Sequence, residues 1–155
     1  MRPLRRNFLK LSGGAGALAA ALAAGLLKTG SAWAATWNKS AFESKAVADT
    51  LKNLGASGLI DSKDITITAP DIAENGAIVP VAVTSKIPNT QSISIIAEKN
   101  PFPLAASFDI SAGGEGYVST RVKMGQTSNV RAIVKADGKF YTAVKEVKVT
   151  VGGCG

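Results

Sequence analysis

The sequence has no histidine and only one cysteine among its 155 residues. Without histidine the chain cannot form a Ser-His-Asp or Cys-His nucleophile, and zinc loses one of its usual ligands. One cysteine excludes an intrachain disulfide, Cys-x-x-Cys-His haem attachment and an iron–sulfur cluster. The acids are scattered and give no support to a catalytic carboxylate pair. We therefore predict no catalytic residue, no metal site and no cofactor, hence a protein that is not an enzyme by itself.

A phosphate-binding loop is also missing. The only glycine cluster in the body of the chain, Gly113-Gly114-Glu115-Gly116, lies between predicted strands, whereas such a loop opens a helix and carries a lysine.

The single cysteine stands near the end of the chain, in Gly152-Gly153-Cys154-Gly155. Glycine has no side chain to pack and wide backbone freedom, so we interpret residues 152–155 as a flexible, swinging arm that presents the thiol. The four residues beyond Val151 reach at most about 14 Å. The alternative is a frayed tail whose thiol is incidental or forms an intermolecular disulfide.

The first residues predict export. A basic start containing Arg5 and Arg6 resembles a twin-arginine (Tat) signal, and the uncharged stretch 11–27 follows it. Ala32-Trp33-Ala34 has the small-x-small pattern of a signal peptidase site, so we predict cleavage after Ala34 and a leader of residues 1–34. A membrane anchor is disfavoured, because this stretch is interrupted by glycines and shorter than the roughly 20 residues that span a bilayer.

The leader accounts for most of the excess positive charge. The whole chain has a formal charge of +7, but five basic residues and no acid lie in the leader, which leaves about +2 for the remainder. Nucleic-acid binding therefore has no support.

Residues 35–151 are enough for one domain. If the chain is exported to an oxidising compartment, an unpaired thiol is a liability unless it is used.

One helix is predicted from Ser40 to Leu54, with Ser40 and Glu43 as a capping box and Gly55 as the stop. Its apolar face, which we expect to pack on the core, consists of Phe42, Ala46, Val47, Leu51 and Leu54.

From Asp64 onward apolar and polar residues alternate with a period of two, which is typical of strands. Seven strands are predicted, at residues 65–68, 78–84, 92–97, 105–110, 117–124, 129–136 and 140–151. Turn sequences separate them, among them Glu74-Asn75-Gly76, Ile87-Pro88-Asn89, Asn100-Pro101 and the hairpin signal Asp137-Gly138. The pattern indicates an immunoglobulin-like antiparallel β-sandwich with one N-terminal helix.

The last predicted strand joins the arm to the body. Apolar and polar residues alternate along this strand with one break in phase, and the apolar ones are Val144, Val147, Val149 and Val151. Lys145 and Lys148 have two interpretations: they draw anions towards the thiol, or they only protect and solubilise the strand edge.

A nucleophilic thiol on an arm, in a chain without catalytic groups, indicates a carrier of a covalently bound group. The thiolate would attack, or be attacked at, sulfur, and partner proteins would supply the activation.

Several segments together resemble the SoxY family of the periplasmic thiosulfate-oxidising (Sox) system. They are the twin-arginine start, the run from Ile72 to Val81, the Asn100-Pro101 turn followed by Phe108, and Gly152-Gly153-Cys154-Gly155. The family tail commonly has one more glycine after the cysteine than this chain has.

The resemblance implies that Cys154 is the covalent attachment site for sulfur, as a cysteine S-thiosulfonate, and that Gly152, Gly153 and Gly155 form the arm. It also implies a heterodimer with a SoxZ-like β-sandwich subunit that is exported together with this chain. A SoxXA-like c-type cytochrome, a SoxB-like thiosulfohydrolase and, in some organisms, a SoxCD-like sulfane dehydrogenase would act on the tail in turn.

Two other functions remain as alternatives. The first is an exported immunoglobulin-like interaction module that uses the terminal cysteine for an intermolecular disulfide. The second is a thiol oxidoreductase, which is disfavoured because there is no second cysteine to resolve a mixed disulfide.

Overall fold

A computed structural model describes residues 37–150, so the predicted leader and the tail from Val151 onward lie outside the described residues. Nine strands and two short helices are present between these limits. The strands are β1 Ile60–Asp61, β2 Ile65–Thr68, β3 Ile72–Ala73, β4 Val79–Ser85, β5 Thr90–Ala97, β6 Leu104–Asp109, β7 Tyr117–Val122, β8 Ser128–Ala136 and β9 Lys139–Val149.

The strands form two sheets that confirm the predicted mainly-β, immunoglobulin-like sandwich. The larger sheet has the order β1-β9-β8-β5-β6, with β3 also paired to β9, and the smaller sheet has the order β2-β4-β7. The seven predicted strands correspond to β2 and β4 to β9, with ends that differ by up to two residues.

Two strands, β1 and β3, were not predicted, and both run parallel to β9. The sheet is therefore mixed, whereas the pattern predicted antiparallel pairing throughout. Each has only two residues, too few to show a period of two, and each exists because β9 offers an edge to which it can bond. Their pairing covers part of the β9 edge, which would otherwise expose unpaired N–H and C=O groups.

The main core lies between the two sheets. Alternate residues of the central strands point into it, and the most deeply buried are aliphatic. Fully buried members include Val79, Val81, Val83, Ile93, Ile95, Val130, Val134 and Val147.

A second, smaller core lies on the opposite face of the larger sheet. Ile133 is flanked along β8 by Ala132 and Val134 of the main core, so its side chain points the other way. Together with Ile96 and Leu104 it packs against the helical segment. Four of the five residues of the predicted helical face join this cluster, namely Phe42, Val47, Leu51 and Leu54, whereas Ala46 is exposed.

The predicted single helix from Ser40 to Leu54 is wrong. The structure has α1 at Lys39–Phe42 and α2 at Val47–Asn53, with an extended residue, Ala46, between them. At the break, two side chains bond the Ser40 carbonyl, which a backbone amide would bond in a continuous helix. The Ser44 hydroxyl donates to it at 2.8 Å, and Asn53 Nδ2 donates to the same oxygen at 3.1 Å. Such side-chain bonds compete with helix continuation.

The predicted capping box at Ser40 and Glu43 is wrong for the same segment. Asn38 caps α1, since its side-chain oxygen accepts from the Ala41 amide at 3.1 Å. The predicted stop at Gly55 is confirmed. Gly55 has φ of +70°, and the Gly55 and Ala56 amides donate to the Lys52 and Leu51 carbonyls, as in a Schellman motif.

The hairpin signal Asp137-Gly138 is confirmed between β8 and β9. Both residues have positive φ, 47° and 73°, as a type I′ turn requires. Asn89, in the turn before β5, also has positive φ, and its side chain donates to the Asp137 carboxylate at 3.1 Å. The two turns are therefore linked at this end of the larger sheet.

Among residues 37–150, no helix is long and apolar enough to cross a membrane.

Candidate functional site at the root of the C-terminal arm

The predicted attachment site and arm lie beyond the last described residue. Cys154, Gly152, Gly153 and Gly155 are in this part of the chain, and the signal residues Arg5 and Arg6 and the predicted cleavage position Ala34 precede the described residues. The structure does describe residues 148–150, from which the tail continues; we call these the arm root. It shows what the tail is attached to and how firmly.

One edge of the arm root is bonded to β3. In this parallel pairing Ile72 lies opposite Lys148 and Ala73 opposite Val149. The Lys148 amide donates to the Asp71 carbonyl at 2.9 Å, and the Thr150 amide donates to the Ala73 carbonyl at 3.1 Å. The short strand β3 thus holds the chain up to the last described residue.

The other edge of the arm root is bonded to a side chain. The Val149 amide donates to Thr127 Oγ1 at 3.0 Å. Thr127 directly precedes β8, whose pairing with β9 ends where Ser128 lies opposite Val147. The Thr127 hydroxyl therefore takes the place of a carbonyl beyond the end of the ladder.

Gly76 allows the turn after β3 to lie against the arm root. A Cβ on this glycine would collide with the Met124 carbonyl oxygen and come within 2.8 Å of Val149 Cγ1. The same close approach permits a hydrogen bond from the Met124 amide to the Gly76 carbonyl at 2.7 Å. Before the glycine, the Asn75 side chain accepts from the Ala77 amide at 2.9 Å and shapes the turn.

The run from Ile72 to Val81 thereby acquires a structural role. Its beginning is the strand that bonds the arm root, its middle is the turn packed against Val149, and its end is the first half of β4 in the main core. Residues far apart in the sequence meet at the point where the tail leaves the sandwich.

The two lysines of β9 differ in their environment. Lys145 Nζ donates to the Ala69 carbonyl at 2.6 Å and pairs with Asp71 Oδ1 at 3.0 Å. Lys148 is exposed and forms no ion pair with any residue from 37 to 150. Lys145 thus ties β9 to the segment before β3, whereas Lys148 leaves its charge available next to the tail.

The predicted alternation of β9 is wrong at two positions. Val144 is 44% exposed, and Lys145 lies on the face that carries Val147 and Val149. The β8–β9 register runs without a shift from Ser128 to Ala136, so the break in phase that the sequence suggests does not occur. Lys145 is tolerated on this face because its ammonium group reaches the carbonyl and carboxylate at the sandwich edge.

The arm root itself brings no catalytic side chain to the tail. Its contacts are main-chain bonds, the hydroxyls of Thr127 and Thr150, and apolar packing, and no cluster of metal-ligating residues occurs in the described part of the chain. What it provides is a fixed point of attachment for the tail that contains Cys154.

Sequence reasoning missed Thr127, Gly76 as a packing residue, and the pairing of β3 with β9. The Asn75-Gly76 pair predicted a turn, but it did not predict that the turn would pack against Met124 and Val149. Nothing local to Thr127 signals its role, because its partner amide lies 22 residues away.

The fold and the arm root define a class of protein: an immunoglobulin-like sandwich whose last strand is bonded on both edges and continues into a cysteine-bearing tail. A family model described as sulfur oxidation protein SoxY matches residues 51–154. The chain therefore belongs to the SoxY family.

One solved structure is of a protein from the same family. The sulfur carrier protein SoxY from Chlorobium limicola f thiosulfatophilum is 44% identical with a TM-score of 0.60, over 65% of this chain and 92% of that one. Two further structures share only 11% and 12% identity with this chain, with TM-scores of 0.40 and 0.38. They are the bacterial superantigen toxic shock syndrome toxin-1 (56% of this chain, 99% of that one) and the human F-spondin reeler domain (61% and 95%). No curated protein sequence matches the chain.

Proposed function

We propose that this chain is a non-catalytic sulfur carrier that holds thiosulfate-derived intermediates covalently on Cys154 and presents them to the other proteins of the Sox cycle. The observation that carries the proposal is the extent of the family match, which runs to residue 154 and so includes the only cysteine. A related protein that is 44% identical is itself a sulfur carrier.

The first step joins the Cys154 sulfur to the outer sulfur of thiosulfate. A new S–S bond forms, the thiol proton is released, and two electrons leave the pair of sulfur atoms. Nothing in the sequence accepts electrons, since the chain has no second cysteine and no histidine. A c-type cytochrome partner therefore takes both electrons, and the product is a cysteine S-thiosulfonate.

The second step removes the terminal sulfonate group by hydrolysis. Water attacks the terminal sulfur, the S–S bond to the sulfonate breaks, sulfate leaves, and a persulfide remains on Cys154. This step balances without an oxidant and belongs to a thiosulfohydrolase partner. A sulfane dehydrogenase, where the host has one, would oxidise the remaining outer sulfur before a further hydrolysis.

The arm root supports a carrier function because it is bonded to the sandwich, and only a short segment of chain follows it before Cys154. Three consecutive amides are bonded up to Thr150, and the four residues from Val151 to Cys154 span at most about 14 Å. A partner can bind the sandwich while the narrow Gly-Gly-Cys-Gly segment enters its cleft. Binding and chemistry are thereby assigned to different parts of the chain.

We further propose that the chain works in the periplasm, exported by the twin-arginine pathway through the leader 1–34. A SoxZ-like subunit that lacks its own signal would travel with it as a heterodimer. These proposals are supported by the leader pattern around Arg5 and Arg6 and by membership of the SoxY family.

The test is the intact mass of the protein isolated from cells grown with and without thiosulfate, before and after reductant. We expect a reducible sulfur-containing adduct with thiosulfate only, and none in the matched variant Cys154→Ala. An unmodified monomer, or a disulfide dimer under both growth conditions, would instead identify an interaction module. N-terminal sequencing of the same sample tests cleavage after Ala34.

A further inference from the structure

We propose that Thr127 is a positioning residue for the carrier arm: its hydroxyl fixes the Val149 amide and so sets the point from which the arm extends. The inference rests on the proposed function for its consequence, but the contact itself lies wholly within the described residues.

The contact occurs just beyond the last residue of β9 that pairs with β8. The β8–β9 ladder ends at the pair Ser128 and Val147. Two residues later the Val149 amide points to the same side as β8, where the ladder has no further carbonyl to offer. A part-buried amide without a partner is unfavourable, and Thr127 Oγ1 accepts its hydrogen bond at 3.0 Å.

The neighbours of Thr127 are engaged elsewhere. The Ser128 hydroxyl accepts from the Lys99 amide at 3.0 Å and donates to the Asn129 carbonyl at 3.1 Å. The Gln126 side chain donates to the Lys99 carbonyl at 3.4 Å. Of these three consecutive polar side chains, only that of Thr127 bonds the arm root.

Bonds on both edges restrict the arm root more than bonds on one edge. The Lys148 and Thr150 amides donate to the β3 side, and the Val149 amide between them donates to the opposite side. With only the β3 side bonded, the arm root can peel from the body together with its short two-residue partner strand. The free segment before Cys154 would then begin near residue 149.

This difference changes the length of the tether between the sandwich and the Cys154 thiol. With the arm root held, three residues lie between Thr150 and Cys154; with it released from Val149 onward, five residues lie between Lys148 and Cys154. The effective concentration of a tethered group falls as about the −3/2 power of the tether length, so the thiol would be about twofold more dilute in a docked partner's cleft.

The first measurement is hydrogen exchange of the Val149 amide in Thr127→Val, which keeps the shape of the side chain but removes the acceptor, and in Thr127→Ser, which keeps the acceptor. We expect exchange about fivefold faster than in the unmodified protein for the valine variant and near the original rate for the serine variant. An unchanged rate in Thr127→Val would overturn the proposal.

The second measurement follows the arm. One nitroxide label on Cys154 and a second on Ser119→Cys, an exposed position of β7, give a distance distribution for the thiol relative to the body. We expect a broader distribution in Thr127→Val and restoration in Thr127→Ser. Equal widths in all three proteins would also overturn the proposal, whether or not the chain carries sulfur.

The third measurement connects position to function. For cytochrome-dependent conjugation of thiosulfate, Thr127→Val should lower kcat about twofold and leave KM unchanged, because docking uses the body. Reaction of Cys154 with a small aromatic disulfide should keep its rate. If the unmodified protein is not conjugated at all, the proposed function fails, while the first two measurements still decide the role of Thr127.

Discussion

At the scale of single residues, the absence of a side chain at Gly76 matters as much as the hydroxyl at Thr127. The backbone of Met124 and the Val149 side chain occupy the space where a Cβ on Gly76 would lie. A glycine in an Asn-Gly turn normally serves the turn itself. Gly76 also allows its own turn, the Met124 backbone and the arm root at Val149 to pack together.

The substitution Gly76→Ala should therefore destabilise the protein by about 2 kcal/mol, as overpacking of a rigid site does. The Met124 carbonyl belongs to the backbone and cannot rotate away, so the turn or the arm root must move. Denaturant unfolding should show a lower midpoint without a change in slope.

Gly125→Ala is the matched control, since it also lies beside Met124 but has open space around it and no positive φ. It should change the free energy of unfolding by no more than about 0.5 kcal/mol. Equal effects of the two substitutions would refute the packing role of Gly76.

At the scale of elements, β9 is the strand on which the domain depends for the position of its tail. It pairs with β8 as far as Val147 and with β1 and β3 at separate places on its other edge. Lys145 adds a side-chain connection to the segment before β3. The strand is thus held from several sides before it continues into the arm root.

The two lysines of β9 should behave differently on substitution. Lys145→Met leaves the Ala69 carbonyl without its charged donor and should lower the free energy of unfolding by about 1 kcal/mol. The ion pair itself adds little to this figure, because the Asp71 side chain is 88% exposed.

Lys148→Met is the counterpart on the same strand and should alter stability by less than about 0.5 kcal/mol. If its exposed charge draws anions towards Cys154, this variant should slow thiosulfate conjugation at low salt and not at high salt. A salt-independent rate in Lys148→Met that equals the unmodified rate would leave only the solubilising interpretation.

At the scale of the whole molecule, two apolar clusters of unequal size share the larger sheet. Among residues 37–150, the cluster between the sheets has fifteen buried members, whereas the cluster under the helices has five. The helical layer therefore has much less buried surface to hold it, and we expect it to open at a lower free energy than the sandwich.

Native-state hydrogen exchange should separate the two clusters. Leu51→Ala, in the helical layer, should speed amide exchange in α1 and α2 with little effect on β5 and β8. Ile95→Ala, fully buried in the main core, should lower the free energy of global unfolding by about 3 kcal/mol and speed exchange throughout. Uniform acceleration in both variants would mean that the molecule opens as one unit.

Several features could be predicted from the sequence because their causes are local. Alternation places seven of the nine strands, Asp137-Gly138 predicts its hairpin, and Gly55 predicts the end of the helical segment. The residue type and spacing of the tail also predict that Cys154 carries the chemistry; this stays a prediction, and the family match extends over that residue. Each inference uses residues within a few positions of one another.

The remaining features are decided by residues that are distant in sequence. The break between α1 and α2 depends on bonds from Ser44 and Asn53 to one carbonyl, and the inward position of Lys145 depends on acceptors near residue 70. The strands β1 and β3 exist only as partners of β9. No local propensity carries this information.

By itself the sequence determined the sandwich class and most of its strands, and it predicts the chemistry of the tail, since patterning and residue type act locally. Only the tertiary structure decided how the tail is attached. Thr127, Gly76 and Ala73 meet Val149 and Thr150 because β9 pairs with partners on both of its edges. The point from which Cys154 starts its reach is therefore a property of the assembled sheets.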